Sequence, residues 1–108
     1  MNVSGVNLNL LAALDALITE RSVTRAASRL RVTQSAMSNS LQRLRELYDD
    51  PLFHRVGRGI VPTPRALAIA PQLRDGLALL GATLAPGGFD PATTDRTFVL
   101  ALSDYVEF

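Results

Sequence analysis

Residues 34 to 48 read QSAMSNSLQRLRELY. Placed about 100° apart, as in a helix, Gln34, Ser35, Ser38, Asn39 and Gln42 share one arc with Arg43 and Arg45, while Met37, Leu41, Leu44, Leu47 and Tyr48 share the other with Ala36 and Ser40. A solvated helix face ordinarily mixes Glu with Lys. The first two turns here expose only amides and hydroxyls, with no charge before Arg43. Short amides and hydroxyls are the groups that reach base edges in a DNA groove, and a guanidinium suits a phosphate. A second feature of this kind is Gly57-Arg58-Gly59, which presents Arg58 at the tip of a turn with Arg55 on the approach to it. Covalent and metal chemistry is poorly served by comparison. There is one histidine, His54, and no cysteine, so the sequence offers no thiolate zinc site, no Cys nucleophile and no His pair on a helix face. Neither an enzyme, a metal nor a cofactor is expected, and His54 reads as a half-exposed strand residue.

The elements that must position these residues follow from periodicity. Leu10, Leu11, Leu14, Leu17 and Ile18 share one arc of a helix from Leu8 to Glu20, with Asn9, Asp15, Thr19 and Glu20 outside it. Ser22 is placed to cap a short second helix whose inward residues, Val23, Ala26, Ala27 and Leu30, are small enough for a neighbour to cross closely. Arg31, Val32 and Thr33 separate it from the third helix, and Thr33 can cap that one. Two short helices so joined make a helix-turn-helix. Leu52 to Val56 and Ile60 to Pro62 then read as strands of a small hairpin, or wing, in which Gly57 and Gly59 are both free to take positive φ. A basic wing beside a recognition helix suits a minor groove.

Thr63-Pro64 is a start signal for a helix reaching about Leu84. Ala66, Leu73 and Leu80 form one seven-residue series and Ala70, Leu77 and Leu84 another, the spacing of a seam that pairs with a second helix. Leu73, Leu77, Leu80 and Leu84 are therefore the expected dimerisation residues, unless the stripe packs on its own domain. Pro71, Gly76 and Gly81 oppose a straight helix, and a kink near Ala70 is expected.

The fold class expected is thus mainly α: a winged helix-turn-helix with a small β-hairpin wing and a long C-terminal linker helix. Its parts are a DNA-binding domain over 1–63, a linker and dimerisation helix over 64–85, a hinge over 86–95, and over 96–108 a buried strand that opens a further domain. One strand cannot make a sheet, so the sequence is expected to bind DNA without the sensing half that would answer to a small molecule.

Charge supports the first half as the binding part. All 11 basic residues are Arg, and residues 1–65 hold nine of them against five acids, whereas residues 66–108 hold two against five. An Arg-only composition also arises from GC-rich coding, so composition alone leaves nucleic-acid binding open. The longest apolar runs are five residues against the ~20 of a bilayer span, and no basic residue opens a signal peptide in the first twenty, so a cytoplasmic protein is expected.

Several segments resemble the LysR-type transcriptional regulators of bacteria: Ser22-Val-Thr-Arg-Ala-Ala-Ser-Arg-Leu30, Thr33-Gln-Ser-Ala-Met-Ser38, Leu41-Gln-Arg-Leu-Arg45, Pro51-Leu-Phe-His-Arg55 and Gly59-Ile-Val-Pro-Thr-Pro64. Ser38-Asn-Ser40, Gly57-Arg-Gly59, Pro62-Thr-Pro-Arg65 and Leu102-Ser-Asp-Tyr105 are similar to the nodulation and aromatic-degradation subgroup. The resemblance implies a winged helix-turn-helix, a linker helix that pairs antiparallel between subunits, and an effector domain. It puts Thr33, Gln34, Ser35, Ser38 and Asn39 in or beside the major groove, with Gln42 on the same arc, Arg43 near the backbone, and Arg55 and Arg58 along the wing. Asn39 stands where many members carry Arg. Ser103 falls where the effector pocket begins in a full-length protein. The partners implied are double-stranded DNA with two-fold related half-sites and a second copy of the chain, with a tetramer left open for the full-length protein, and no membrane. The alternative is a helical interaction module without specific DNA binding, in which the leucine seam is the functional surface.

Overall fold

A computed structural model describes residues 7–84 of the chain, and the expectations for the hinge, the strand over 96–108 and Ser103 lie outside the described residues. The element order is α1 (Leu8–Glu20), α2 (Val23–Arg29), α3 (Gln34–Tyr48), β1 (Phe53–Val56), β2 (Gly59–Pro62) and α4 (Pro64–Leu84). This is the winged helix-turn-helix read from the sequence.

Local chemistry sets the helix starts. The side chains of Asn7, Ser22 and Thr33 accept hydrogen bonds from the amides of Asn9, Arg25 and Ala36, satisfying donors that have no partner within the first turn. Thr63 does the same for α4, accepting from Ala66 N at 3.2 Å. Three left-handed residues, Arg21, Arg31 and Asp49, end α1, turn the chain between α2 and α3, and end α3.

The core runs through α1, which packs against α2, α3 and α4. Leu10, Leu14 and Leu17 are buried as the periodicity requires, but so are Ala12, Ala13, Ala16 and Asp15. Asp15, expected outside the apolar arc, is only 6% exposed. The cause is α4, which covers a side of α1 that the helix-turn-helix leaves bare. Ala36 departs the other way, being exposed although it borders the apolar arc of α3.

The wing is an antiparallel pair with Phe53 opposite Pro62, His54 opposite Val61, Arg55 opposite Ile60 and Val56 opposite Gly59. Its first strand begins at Phe53, one residue later than expected, because Leu52 takes φ 65. A left-handed leucine costs about 1–2 kcal/mol. It is held by complete burial, by its amide donating to Asp50 Oδ2 at 2.8 Å and by its carbonyl accepting from Thr63 N at 2.8 Å. Gly57 has φ 60, whereas Gly59 does not use positive φ at all. The expectation that both glycines serve backbone freedom is corrected for Gly59, whose role is close approach to Arg21.

The linker helix is continuous from Pro64 to Leu84 with Pro71 inside it. Pro71 and Leu67 are both exposed, so the Leu67 carbonyl that loses its amide donor lies on the water side of the helix. Along this helix Leu73 and Leu77 are 9% and 3% exposed and belong to the protein's own core. The expected four-leucine pairing seam is corrected accordingly: its first half packs intramolecularly, while Leu80 and Leu84 are 42% and 51% exposed.

Candidate nucleic-acid interface

The candidate recognition surface is built on α3. Met37 and Leu44 are fully buried and Leu41 nearly so, which fixes the rotation of the helix about its axis. Burial of those three on one arc turns Gln34, Ser35, Ser38, Asn39, Gln42 and Arg43 outward, and all six are exposed. Thr33 is exposed at the N-cap, where its hydroxyl oxygen accepts from Ala36 N at 3.0 Å and its proton remains available to donate. The exposed surface is therefore amide, hydroxyl, hydroxyl, amide, amide and then guanidinium, along a helix narrow enough for a major groove.

Arg45 behaves differently from Arg43, as it is partly buried and its Nε donates to the Pro51 carbonyl at 2.9 Å. That bond ties the last turn of α3 to the chain entering the wing. Asp50 completes the tie. One of its oxygens, Oδ2, accepts both from Leu52 N at 2.8 Å and from Thr63 Oγ1 at 2.8 Å. These hydrogen bonds, first the one from the Leu52 amide and then the one from Thr63, hold the Asp50 carboxyl below the ordinary carboxylate range, with Arg65 and His54 adding favourable charge. Thr63 thus accepts from α4 and donates to Asp50, joining the end of α3, the base of the wing and the start of α4 at one hydroxyl. The sequence reading found the Thr63 cap but not Asp50 as its partner. Tyr48 lies beside this junction, its hydroxyl pushed up by burial and partly offset by Arg65.

At the wing tip, Gly57 and Arg58 form the loop between Val56 and Gly59, with positive φ at the glycine only, as in the II′ turns that suit twisted hairpins. Arg55 and Arg58 are exposed. So are His54, Val56 and Val61 on the wing. The hairpin is anchored at its other strand, where Ile60 N donates to the Arg21 carbonyl at 3.1 Å. The structure therefore fixes both basic and polar groups to one core: α3 by its buried leucines, the wing by the α1 terminus and by Asp50. No group of His, Asp or Glu among the described residues is arranged to hold a metal ion, and no helix among them is long and apolar enough to cross a membrane.

Residues 8–67 match the family model described as bacterial regulatory helix-turn-helix protein, lysR family. Nodulation protein D 2 of Rhizobium meliloti (strain 1021) is 47% identical over 107 residues, covering 98% of this chain and 34% of the relative. Nodulation protein D 1 of Bradyrhizobium japonicum is 46% identical over 107 residues, covering 98% and 33%. The chain spans about a third of the length of the curated relatives it matches. Among solved structures, a probable transcriptional regulator from Pseudomonas aeruginosa is similar with TM-score 0.72 and 43% identity, over 76% of this chain and 27% of that one. The CbnR DBD in complex with DNA is similar with TM-score 0.67 and 27% identity, over 72% of this chain and 90% of that one. With a capped helix-turn-helix, a two-stranded wing and a family match that spans α1 to the first turn of α4, this chain belongs to the LysR family of bacterial regulatory helix-turn-helix proteins.

Proposed function

We propose that this chain is the DNA-reading part of a bacterial transcriptional regulator, binding double-stranded DNA sequence-specifically in the cytoplasm. The N-terminal turns of α3 enter the major groove, where Thr33, Gln34, Ser35, Ser38, Asn39 and Gln42 meet base edges and Arg43 meets a phosphate. The wing places Arg58 in an adjoining minor groove with Arg55 along the backbone. Two copies act on two-fold related half-sites, paired through the exposed part of α4. Control by a small-molecule effector, with Ser103 at the start of its pocket, and assembly beyond a dimer are proposed for a protein of the relatives' full length.

The observation that carries the reading is the α3 surface: six adjacent outward side chains that hydrogen-bond or carry positive charge, with no acidic residue before Glu46. The likeness to the DNA-bound CbnR and BenM DBD structures supports it.

Selection of bound fragments from random duplex DNA provides the test. Gln34→Ala or Ser38→Ala changes the preferred sequence, each good base contact being worth about 1–3 kcal/mol. Arg43→Ala weakens all duplexes and lowers the salt slope by about one. Equal loss on selected and random DNA for Gln34→Ala would overturn the assignment of base reading to α3. No sequence preference at all would leave the exposed leucines of α4 as the functional surface of an interaction module.

A further inference from the structure

Asp15 is a buried carboxylate on a helix whose other buried residues are all Leu or Ala, and its partner comes from 59 residues further along the chain. Arg74 Nη2 stands 3.4 Å from Asp15 Oδ1 and donates to Thr19 Oγ1 at 3.0 Å. Asp15 and Thr19 are four residues apart, so they lie one above the other along the axis of α1. A single guanidinium on α4 reaches both. On either side of it Leu73 and Leu77 supply the apolar contact between the two helices.

Those two kinds of contact do different things. Apolar burial attracts without direction, so Leu73 and Leu77 hold α4 on α1 while leaving its crossing angle soft. One guanidinium nitrogen held between two acceptors spaced along the neighbouring axis is directional. The angle matters because α1 also packs on α3, so the tilt of α4 on α1 is its tilt relative to the recognition helix.

The lever beyond Arg74 is ten residues to Leu84, about 15 Å at the helical rise of 1.5 Å per residue. A tilt of about 10° moves that end by roughly 2.6 Å, against about 3.4 Å per base step. A two-fold axis applies the shift to both copies.

We propose that Asp15, Thr19 and Arg74 are positioning residues that lock the angle of α4 and thereby set the spacing of DNA half-sites the dimer accepts. This rests on the reading that copies pair through α4. None of the three touches DNA in it; they act through the direction of the helix.

The experiment uses the full 108-residue chain and duplexes carrying either one half-site of the sequence selected from random DNA, or two such half-sites respaced in single base-pair steps. Arg74→Met keeps an apolar stem and removes the guanidinium. Asp15→Asn combined with Arg74→Met also removes the unpaired buried charge, so at least one variant keeps the fold if the charge alone is the hazard. The wild type is expected to prefer one spacing by about tenfold over its neighbours, and the variants to narrow that preference to about twofold while binding the single half-site as the wild type does. A variant that retains the wild-type spacing preference overturns the proposal. Equal losses on single and paired half-sites also overturn it, since that is what a purely structural role would produce. A wild-type chain that sediments as a monomer on the paired duplex removes the dimer reading and this inference together, an outcome distinct from a dimer whose spacing preference ignores Arg74.

Discussion

Gly59 lies against the carbonyl of Arg21 so closely that a Cβ on Gly59 would stand 2.9 Å from that oxygen. The same oxygen accepts from Ile60 N, which makes this the joint between the wing and the C-terminal cap of α1. Alanine at position 59 must push the hairpin away from a backbone atom that cannot yield as a side-chain tip would, at about 1–3 kcal/mol. Gly57→Ala meets open space and is strained only by φ 60, at about 1 kcal/mol. Urea unfolding is expected to rank Gly59→Ala below Gly57→Ala. Hydrogen exchange should show the Ile60 amide losing protection in Gly59→Ala alone, and retained protection there would contradict the steric account.

These two glycines also mark how far the sequence could be read. The hairpin was visible in Gly57-Arg58-Gly59 because turn chemistry is local, and α2 and α3 were visible because their apolar spacing and capping hydroxyls are local too. What needed the structure was tertiary. Gly59 is required by a carbonyl thirty-eight positions away in the chain, which no local pattern encodes. Ala12, Ala13 and Ala16 carry almost no periodicity signal, so the burial of α1 on a second side was hidden, and with it the reason Asp15 points inward. Leucines at seven-residue spacing could serve a second chain or α1, and only the packing shows that Leu73 and Leu77 serve α1. The outward polar face of α3 was legible from one helix, since its exposure follows from the burial of Met37, Leu41 and Leu44 on the opposite arc.

Asp50 gives the stability a defined pH dependence. Its carboxyl is held below its ordinary value by the Leu52 amide and the Thr63 hydroxyl, so the folded state binds its proton less readily than the unfolded chain does. Its contribution is therefore fully present above the unfolded value of about 4 and is lost as pH falls through the lowered folded value. Asp50→Asn keeps the shape and removes the titration. The melting temperature of the wild type is expected to exceed that of Asp50→Asn at pH 7, with the gap closing below about pH 4. A gap that widens on acidification would reverse the sign and refute the assignment.

The wing makes a separate prediction, given the proposed DNA reading. Arg58 is exposed at the loop and Gly57 supplies the turn, so the guanidinium can enter a groove that a bulkier tip could not. Narrow A-tract minor grooves attract such a group most strongly. Footprinting of Arg58→Ala on selected DNA should lose protection in the flanks and keep it at the centre. Unchanged flanking protection would move the wing off the DNA.

The leucines of α4 divide into two experiments because they divide in burial. Leu77 is in the core against α1, so Leu77→Asp places a carboxylate among apolar side chains and costs several kcal/mol, about the whole stability of a small domain. That variant is expected to lose its cooperative melt, and its failure to dimerise would say nothing about the interface. Leu80 and Leu84 are exposed in the single chain, as is Leu79 at 70%. A charge there costs the isolated fold little and strikes only a partner. Given the proposed pairing through α4, Leu80→Asp combined with Leu84→Asp should therefore keep a cooperative melt, unlike Leu77→Asp, sediment as a monomer and bind a duplex with two half-sites no better than a duplex with one. If the double variant still sediments as a dimer, the pairing surface lies elsewhere than on the last turns of α4.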